Sequence, residues 1–254
     1  MSGKLQMTLI RIDNYGPWTL ELGDDREYRL QILQAQLYAH LQRLFAEKGG
    51  ALFYNRFDEM IAISNGISLE DHLKIQDEVS KNYPFTISMG IGLSEKPYDA
   101  LETATKALQR CGSSARDVKK AVIGEFDESY KKSVKIAHID VNDATGKLID
   151  RLSAYDTALM ISRLNLRLGK LFLNHKAITF FCGGDNFMVV ANGVSEMEVE
   201  KILTKAGKDF NLTLKAGIGT AKTARKAIEL ATKGLDLIRE GKANGPVHEL
   251  SDLS

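Results

Sequence analysis

The sequence predicts an α/β protein of the α+β type, built as two tandem copies of one β-α-β-β-α-β unit. Three observations predict it. The chain has 254 residues, more than one typical domain needs. Sliding it by 127 residues aligns its halves without a gap: 25 of the 97 positions from Ile12 to Leu108 equal the residue 127 further on. Average composition alone gives roughly one in sixteen, so an internal duplication follows. Each half also repeats the same order of apolar runs and helical periodicity. The domains are read as residues 1–127 and 128–254, expected to pack as a pseudo-twofold pair.

Strand one is an apolar segment closing on aspartate, MTLIRID at Asp13 and VKIAHID at Asp140. Leu37, Leu41, Leu44 and Phe45, identical to Leu164, Leu168, Leu171 and Phe172, then mark one face of a long helix. The paired runs ALFYN-RFDE-MIAIS and AITFF-CGGD-NFMVV have hairpin spacing and supply strands two and three. A charged helix after Asn-Gly, the strand FTISMGIG or LTLKAGIG, and a last helix complete each unit. The order is ferredoxin-like with one added helix. A Ser- and Lys-rich stretch near residues 112 to 133 reads as the linker. Gly90, Gly92, Gly217 and Gly219 lie inside strands, where a closely packed helix explains them better than a ligand.

Composition excludes several function classes. Hydrophobic residues make up 44% and prolines number four, which excludes a disordered chain. With 34 basic and 33 acidic residues the net charge is +1, so a nucleic-acid polymer is not the expected partner. Cys111, Cys182 and five scattered histidines offer no zinc-ligand spacing. No signal peptide or membrane-length apolar run is evident, so a cytoplasmic protein is expected.

Asp140 ends strand one and Asp185 sits in the hairpin turn; ferredoxin-like topology sets strand one beside strand three, so both carboxylates should meet at one sheet edge. Oxygen ligands without thiolate favour Mg²⁺ or Mn²⁺ shared with substrate phosphates. Either Asp alone reads more readily as a turn or strand-end residue, but the pair recurs at the same offset as Asp13 and Asp58. Gly183-Gly184 could open the turn as an anion cradle or simply meet a positive-φ hairpin. The first half carries Arg56-Phe57 there, so the phosphates are expected on the second half, with Arg56 in a salt bridge or reaching across the pseudo-twofold interface. The stretch after Asp13 reads as a loop, in which Tyr15 and Trp18 could stack on a base or act as buried anchors. Lys106 and Lys233 could face phosphates or stand exposed, and His138 reads as a satisfied core histidine.

The Asp-ended strand, the GGDNF hairpin and the GIG strand with its A-x-E-x-A-T-K-x-L helix resemble the palm-type unit of GGDEF diguanylate cyclases and class III nucleotidyl cyclases. Together IRIDNYGPWT, YNRFDEMIAISNGI, NYPFTISMGI, AHIDVNDATGKLIDRLSAYDT, FFCGGDNFMVVANG and LKAGIGTAKTA resemble the GTP cyclohydrolase III family over about residues 8 to 250. That resemblance implies Mg²⁺-dependent, zinc-free conversion of GTP to 2-amino-5-formylamino-6-(5-phosphoribosylamino)pyrimidin-4(3H)-one with release of two phosphates. It also implies activation by a monovalent cation such as K⁺, and a homo-oligomer, dimer or tetramer. Carried onto this chain, it puts Asp140 and Asp185 on the metals and Gly183, Gly184, Asn186 and the backbone of Val141 near the substrate. Asp13 and Asp58 are further metal candidates, Asp13 a candidate base, and Tyr15 and Arg56 candidate substrate contacts. A nucleotidyl or diguanylate cyclase, or a GTP-sensing module, is the alternative reading.

Overall fold

In the computed structural model, which describes residues 4–112, 116–127 and 133–253, the apolar runs become two five-stranded sheets. The first is built from β1 (Leu5–Ile12), β2 (Ala51–Arg56), β3 (Glu59–Ile63), β4 (Ile87–Ser94) and β5 (Val122–Gly124), with α1 (Tyr15–Glu21), α2 (Arg26–Glu47), α3 (Leu69–Asn82) and α4 (Pro97–Arg110) between them. The second repeats this with β6 (Val134–Val141), β7 (Ile178–Gly183), β8 (Asn186–Val190), β9 (Leu214–Ala221) and β10 (Val247–Asp252). Its helices are α5 (Ala154–Leu173), α6 (Glu196–Phe210) and α7 (Ala224–Arg239), with a π-helical turn at Thr145–Ile149 where the first has α1. The chain falls into two compact units, Met1–Glu95 with Asp99–Lys132, and Ser133–Ser254 with Lys96–Tyr98.

The strand orders are β2-β3-β1-β4-β5 and β10-β9-β6-β8-β7, so both sheets have the same topology. The first strand runs antiparallel to both of its neighbours, and four strands of each sheet form the ferredoxin-like set. The fifth strand, parallel at one edge, is additional to the pattern read from sequence. An edge strand needs backbone pairing on one side only, so VIG and VHELSD carry little apolar alternation to betray it.

Two expectations need correction. The segment read as a linker holds β5, and its described part is tied to the first unit. Lys120 donates its N–H to Asp13 at 2.9 Å, Ala121 to Ser88 Oγ at 3.1 Å and Asp127 to Gln6 Oε1 at 2.8 Å. Residues 113–115 and 128–132 of that segment lie outside the described residues. The stretch read as a loop after Asp13 is helix α1 from Tyr15; Asn14 turns the chain with φ of 52°, and Pro17 sits in the first turn, where its missing N–H is harmless.

The helical periodicity does become the core face: Leu37, Leu41 and Phe45 are buried in one unit, and Leu164, Leu168 and Phe172 in the other. Capping boxes at Ser68/Asp71 and Ser195/Glu198 start α3 and α6 at equivalent points. The strand glycines serve helix packing. A Cβ on Gly217 would lie 1.9 Å from the carbonyl oxygen of Ala231, and one on Gly219 2.0 Å from that of Ala227. Gly90 and Gly92 meet Ala104 and Ala100 in the same way at 2.3 and 2.1 Å. The last helix of each unit therefore rests directly on strand backbone.

His72, given no role from sequence, is fully buried in the first unit. Its Nε2 lies 2.8 Å from Thr8 Oγ1 and its Nδ1 2.7 Å from the carbonyl oxygen of Ser68. The carbonyl can only accept, so the neutral ring carries its proton on Nδ1 and Nε2 accepts from the threonine. Burial pushes its pKa down to about 4.

Two predictions follow from this packing. Gly219→Ala should cost about 1–3 kcal/mol through overpacking. Gly169→Ala, in open space on α5, should be neutral or stabilise by up to ~1 kcal/mol; urea denaturation of both variants measures the contrast. The unfolded His72 takes up a proton near pH 6.5 and the folded one only near pH 4. The stability present above pH 6.5 should therefore fall by about 3 kcal/mol as pH drops to 4. His72→Gln should flatten that part of the stability profile.

Candidate active site

Strand β6 alternates, with Ala137, Ile139 and Val141 facing the core beneath α5 and α6, so His138 and Asp140 turn to the face covered by α7. Sheet register then sets Asp140 opposite Lys215 of β9 and His138 opposite Gly217. Because α7 lies close over the glycines, its residues reach the same spot. Asp140, 5% exposed, has Lys215 Nζ at 3.3 Å and Arg239 Nη2 at 3.1 Å from Oδ2.

Asp185, in the turn between β7 and β8, lies close enough to Asp140 for the two carboxyl groups to interact, with the backbone N–H groups of Val141 and of Asp185 itself nearby, and its Oδ1 accepts from Asn186 Nδ2 at 3.4 Å. Burial, followed by the bond to Asp140 and its charge, raises the Asp185 pKa above its ordinary value. Two carboxyl groups in contact thus share a need for positive charge, which a proton, Lys215 and Arg239 meet in part. The donor set is oxygen only, as a hard divalent cation requires. Among the described residues no group of three His, Cys, Asp or Glu side chains could hold a metal. Two carboxylates are the number that an ion such as Mg²⁺ takes from protein when water and substrate phosphate complete its shell.

The glycines beside the pair are required by the backbone, with φ of 102° at Gly183 and 60° at Gly184. Nothing lies within 4 Å of a Cβ built on Gly183, so the turn is also open in front. Asn186 turns its Oδ1 to His138 Nε2 at 3.0 Å, while Thr232 of α7 meets Nδ1 at 3.1 Å. Since the amide oxygen can only accept, Nε2 carries the proton of the neutral ring. His138, its pKa lowered first by burial, is engaged at both nitrogens and positions the hairpin.

The first unit is arranged otherwise. Asp13, 1% exposed, accepts from Ser88 Oγ at 2.6 Å, Thr86 Oγ1 at 2.7 Å and the Lys120 N–H, while Asp58 pairs with Arg56 at 3.2 Å. Asp13 is occupied by neutral donors and Asp58 by its own hairpin. Arg56 also lies 3.7 Å from Glu59, a salt-bridge cluster within the unit. Tyr15 Oη accepts from Gln34 at 2.9 Å, and Trp18 is a buried anchor on Phe85 with ring centroids 4.7 Å apart. At the positions of His138, Asn186, Lys215 and Arg239 stand Arg11, Glu59, Ser88 and Gly112, with Arg11 and Glu59 forming an ion pair.

Sequence reading missed Lys215 and Arg239 and weighed Lys106 and Lys233 instead. Lys106 pairs with exposed Glu102 at 3.2 Å, and Lys233 is exposed. Lys215 did carry a signal: it is the one charged residue in LTLKAGIG and shares the strand face of Gly217 and Gly219.

Fold and site together define a duplicated ferredoxin-like α+β protein whose second unit gathers an acidic pair, two basic side chains and an open glycine turn. The family model described as GTP cyclohydrolase III matches residues 7–252. A GTP cyclohydrolase III of Methanothermobacter thermautotrophicus is 45% identical over 251 residues, covering 98% of this chain and 100% of that protein. One from Methanocaldococcus jannaschii is 46% identical over 236 residues, 92% of this chain and 88% of the relative. The chain belongs to the GTP cyclohydrolase III family, a family of cyclohydrolase enzymes. Among solved structures, a GGDEF domain from Caulobacter crescentus in complex with c-di-GMP is 17% identical with a TM-score of 0.39, covering 46% of this chain and 77% of its own.

The acidic pair makes a titration prediction. In the metal-free protein, carbon-13 NMR should find the Asp185 carboxyl titrating above an ordinary aspartate, and Asp140→Asn should bring that midpoint down. An unmoved midpoint would mean that burial alone sets it.

Proposed function

We propose that this protein is a Mg²⁺-dependent GTP cyclohydrolase that opens the imidazole ring of guanine and releases two orthophosphates. The product is 2-amino-5-formylamino-6-(5-phosphoribosylamino)pyrimidin-4(3H)-one. One water adds at C8 and the C8–N9 bond breaks, leaving the formyl group on N7 and the amine on the ribosyl side. Two further waters cleave the phosphoanhydride bonds, each giving orthophosphate. The observation that carries this reading is the contact between Asp140 and Asp185 in a chain of this family.

Asp140 and Asp185 would hold the divalent cation, Mg²⁺ or Mn²⁺. When bound, it supplies Lewis acidity and neutralises phosphate charge. The protein's own groups do the positioning. The turn at Gly183 and Gly184 gives a phosphate access to backbone N–H groups. Lys215 and Arg239, paired with Asp140 without a ligand, are near enough to turn to phosphate oxygens once a cation takes over that carboxylate. Asn186, held by His138, keeps the hairpin in register. Activation by K⁺, assembly into a dimer or tetramer and a cytoplasmic location belong to the same reading; among the described residues no helix is long and apolar enough to cross a membrane.

One incubation tests it. GTP with Mg²⁺ should yield two orthophosphates per nucleotide with loss of the guanine absorbance and no free formate. Pyrophosphate would instead identify a cyclase, and unchanged GTP at saturation a binding module. Asp185→Asn should lower turnover roughly a hundredfold or more, the several kcal/mol expected for a lost metal ligand. Wild-type rates in that variant would move the metal away from the second unit.

A further inference from the structure

The first unit holds a groove of about 490 Å³ where α1 and the turn from α3 into β4 meet the segment ahead of β5. That volume is in the range of small-ligand sites. Asp13, Trp18, Glu21, Ser80, Tyr83 and Phe85 are among the residues that line it. Three rings make one wall: Trp18 meets Phe85 edge-on with centroids 4.7 Å apart, and Phe85 stacks on Tyr83 at 5.3 Å. Trp18 and Glu21 are three residues apart on α1 and share a helix face, so a carboxylate stands beside that wall.

Buried Asp13 supplies a second carboxylate. Ser88 occupies its Oδ1 once, while Thr86 and the Lys120 N–H occupy Oδ2. A carboxylate oxygen can accept two bonds, so one place on Oδ1 is left. Neutral donors lessen the charge of Asp13 without cancelling it.

The second unit has a groove of about 370 Å³ at the matching place, with Gly207, Leu212 and Thr213 where the first has Ser80, Phe85 and Thr86. Lys208 and Asn211 line it, and among the described residues no acid does. The fold makes the groove, therefore, and each copy's side chains give it a character. At the positions of Trp18 and Glu21 stand Thr145 and Leu148. Lys81, the counterpart of Lys208, does not line the first groove; Asp77 holds it at 2.7 Å, where the second unit has Thr204. The first groove thus presents rings and acids where the second presents a lysine.

We propose that the groove of the first unit binds a small organic cation, a protonated amine on an aromatic or apolar body. The ring quadrupoles attract its charge, that of tryptophan most strongly, Glu21 adds Coulomb attraction, and Asp13 Oδ1 accepts an N–H. An anion would meet two like charges there, and a hydrated metal ion would leave the rings unused. The site is in the other unit from the Asp140–Asp185 pair and does not depend on the GTP reading.

Trp18 is the only tryptophan of the chain, so its fluorescence reports on this groove. The full-length protein, without nucleotide and near neutral pH, is titrated with benzylamine, benzyl alcohol and benzoate, which share a ring and differ in charge. Benzylamine, protonated there, should shift the Trp18 emission saturably and bind roughly tenfold more tightly than the alcohol or the benzoate. Glu21→Gln should cut that preference about threefold, as the loss of one exposed charge does, at an unchanged melting temperature. Ser80→Phe, which fills the groove from α3, should weaken benzylamine roughly tenfold or more. Equal binding of the three compounds, an emission that none of them moves, an undiminished preference in Glu21→Gln or full benzylamine affinity in Ser80→Phe would each overturn the assignment.

Discussion

Two carboxyl groups held in contact need positive charge, and the second unit is organised around that need. Asp140 is fixed by its place in a central strand, and Asp185 is brought to it by a hairpin that only a glycine pair can turn in this way. Their proximity raises the proton affinity of Asp185 and draws Lys215 and Arg239 to Asp140. The close seating of α7 on Gly217 and Gly219 belongs to the same arrangement, because it brings Thr232 and Arg239 over the strand that carries Asp140. Packing and electrostatics here are one device.

The duplicated units kept the scaffold and parted at the site. Strand order, capping boxes and glycine-alanine packing recur in both. The first unit has neutralised its version: hydroxyls and a backbone N–H surround Asp13, an ion pair replaces the histidine-asparagine bond, and aromatic rings occupy the space beside the hairpin. Buried His72, bonded at both nitrogens, adds a polar core that serves stability. In the first unit these neutral donors and ion pairs relieve the need for positive charge that the acidic pair retains in the second.

Much of this was legible beforehand. The recurrence at 127 residues named the unit, and the i, i+4, i+7, i+8 apolar face named its main helix, because both are local patterns repeated on one chain. The Asp140–Asp185 meeting followed from topology once strand one was set beside strand three. Arg239 was not legible, since it is one of several charges on its helix and only the close approach to β9 selects it. The edge strands escaped for a related reason: backbone pairing holds them, and backbone is the same for every residue.

By itself the sequence determined the duplicated fold, the four core strands and main helices of each copy and the family, because period, spacing and motif are properties of the chain read in one dimension. Tertiary structure decided which acids meet, which bases answer them and which hairpin turn stays open. Those depend on register and on helix-to-sheet distance, where a shift of one residue or a single methyl group changes the neighbour a side chain meets.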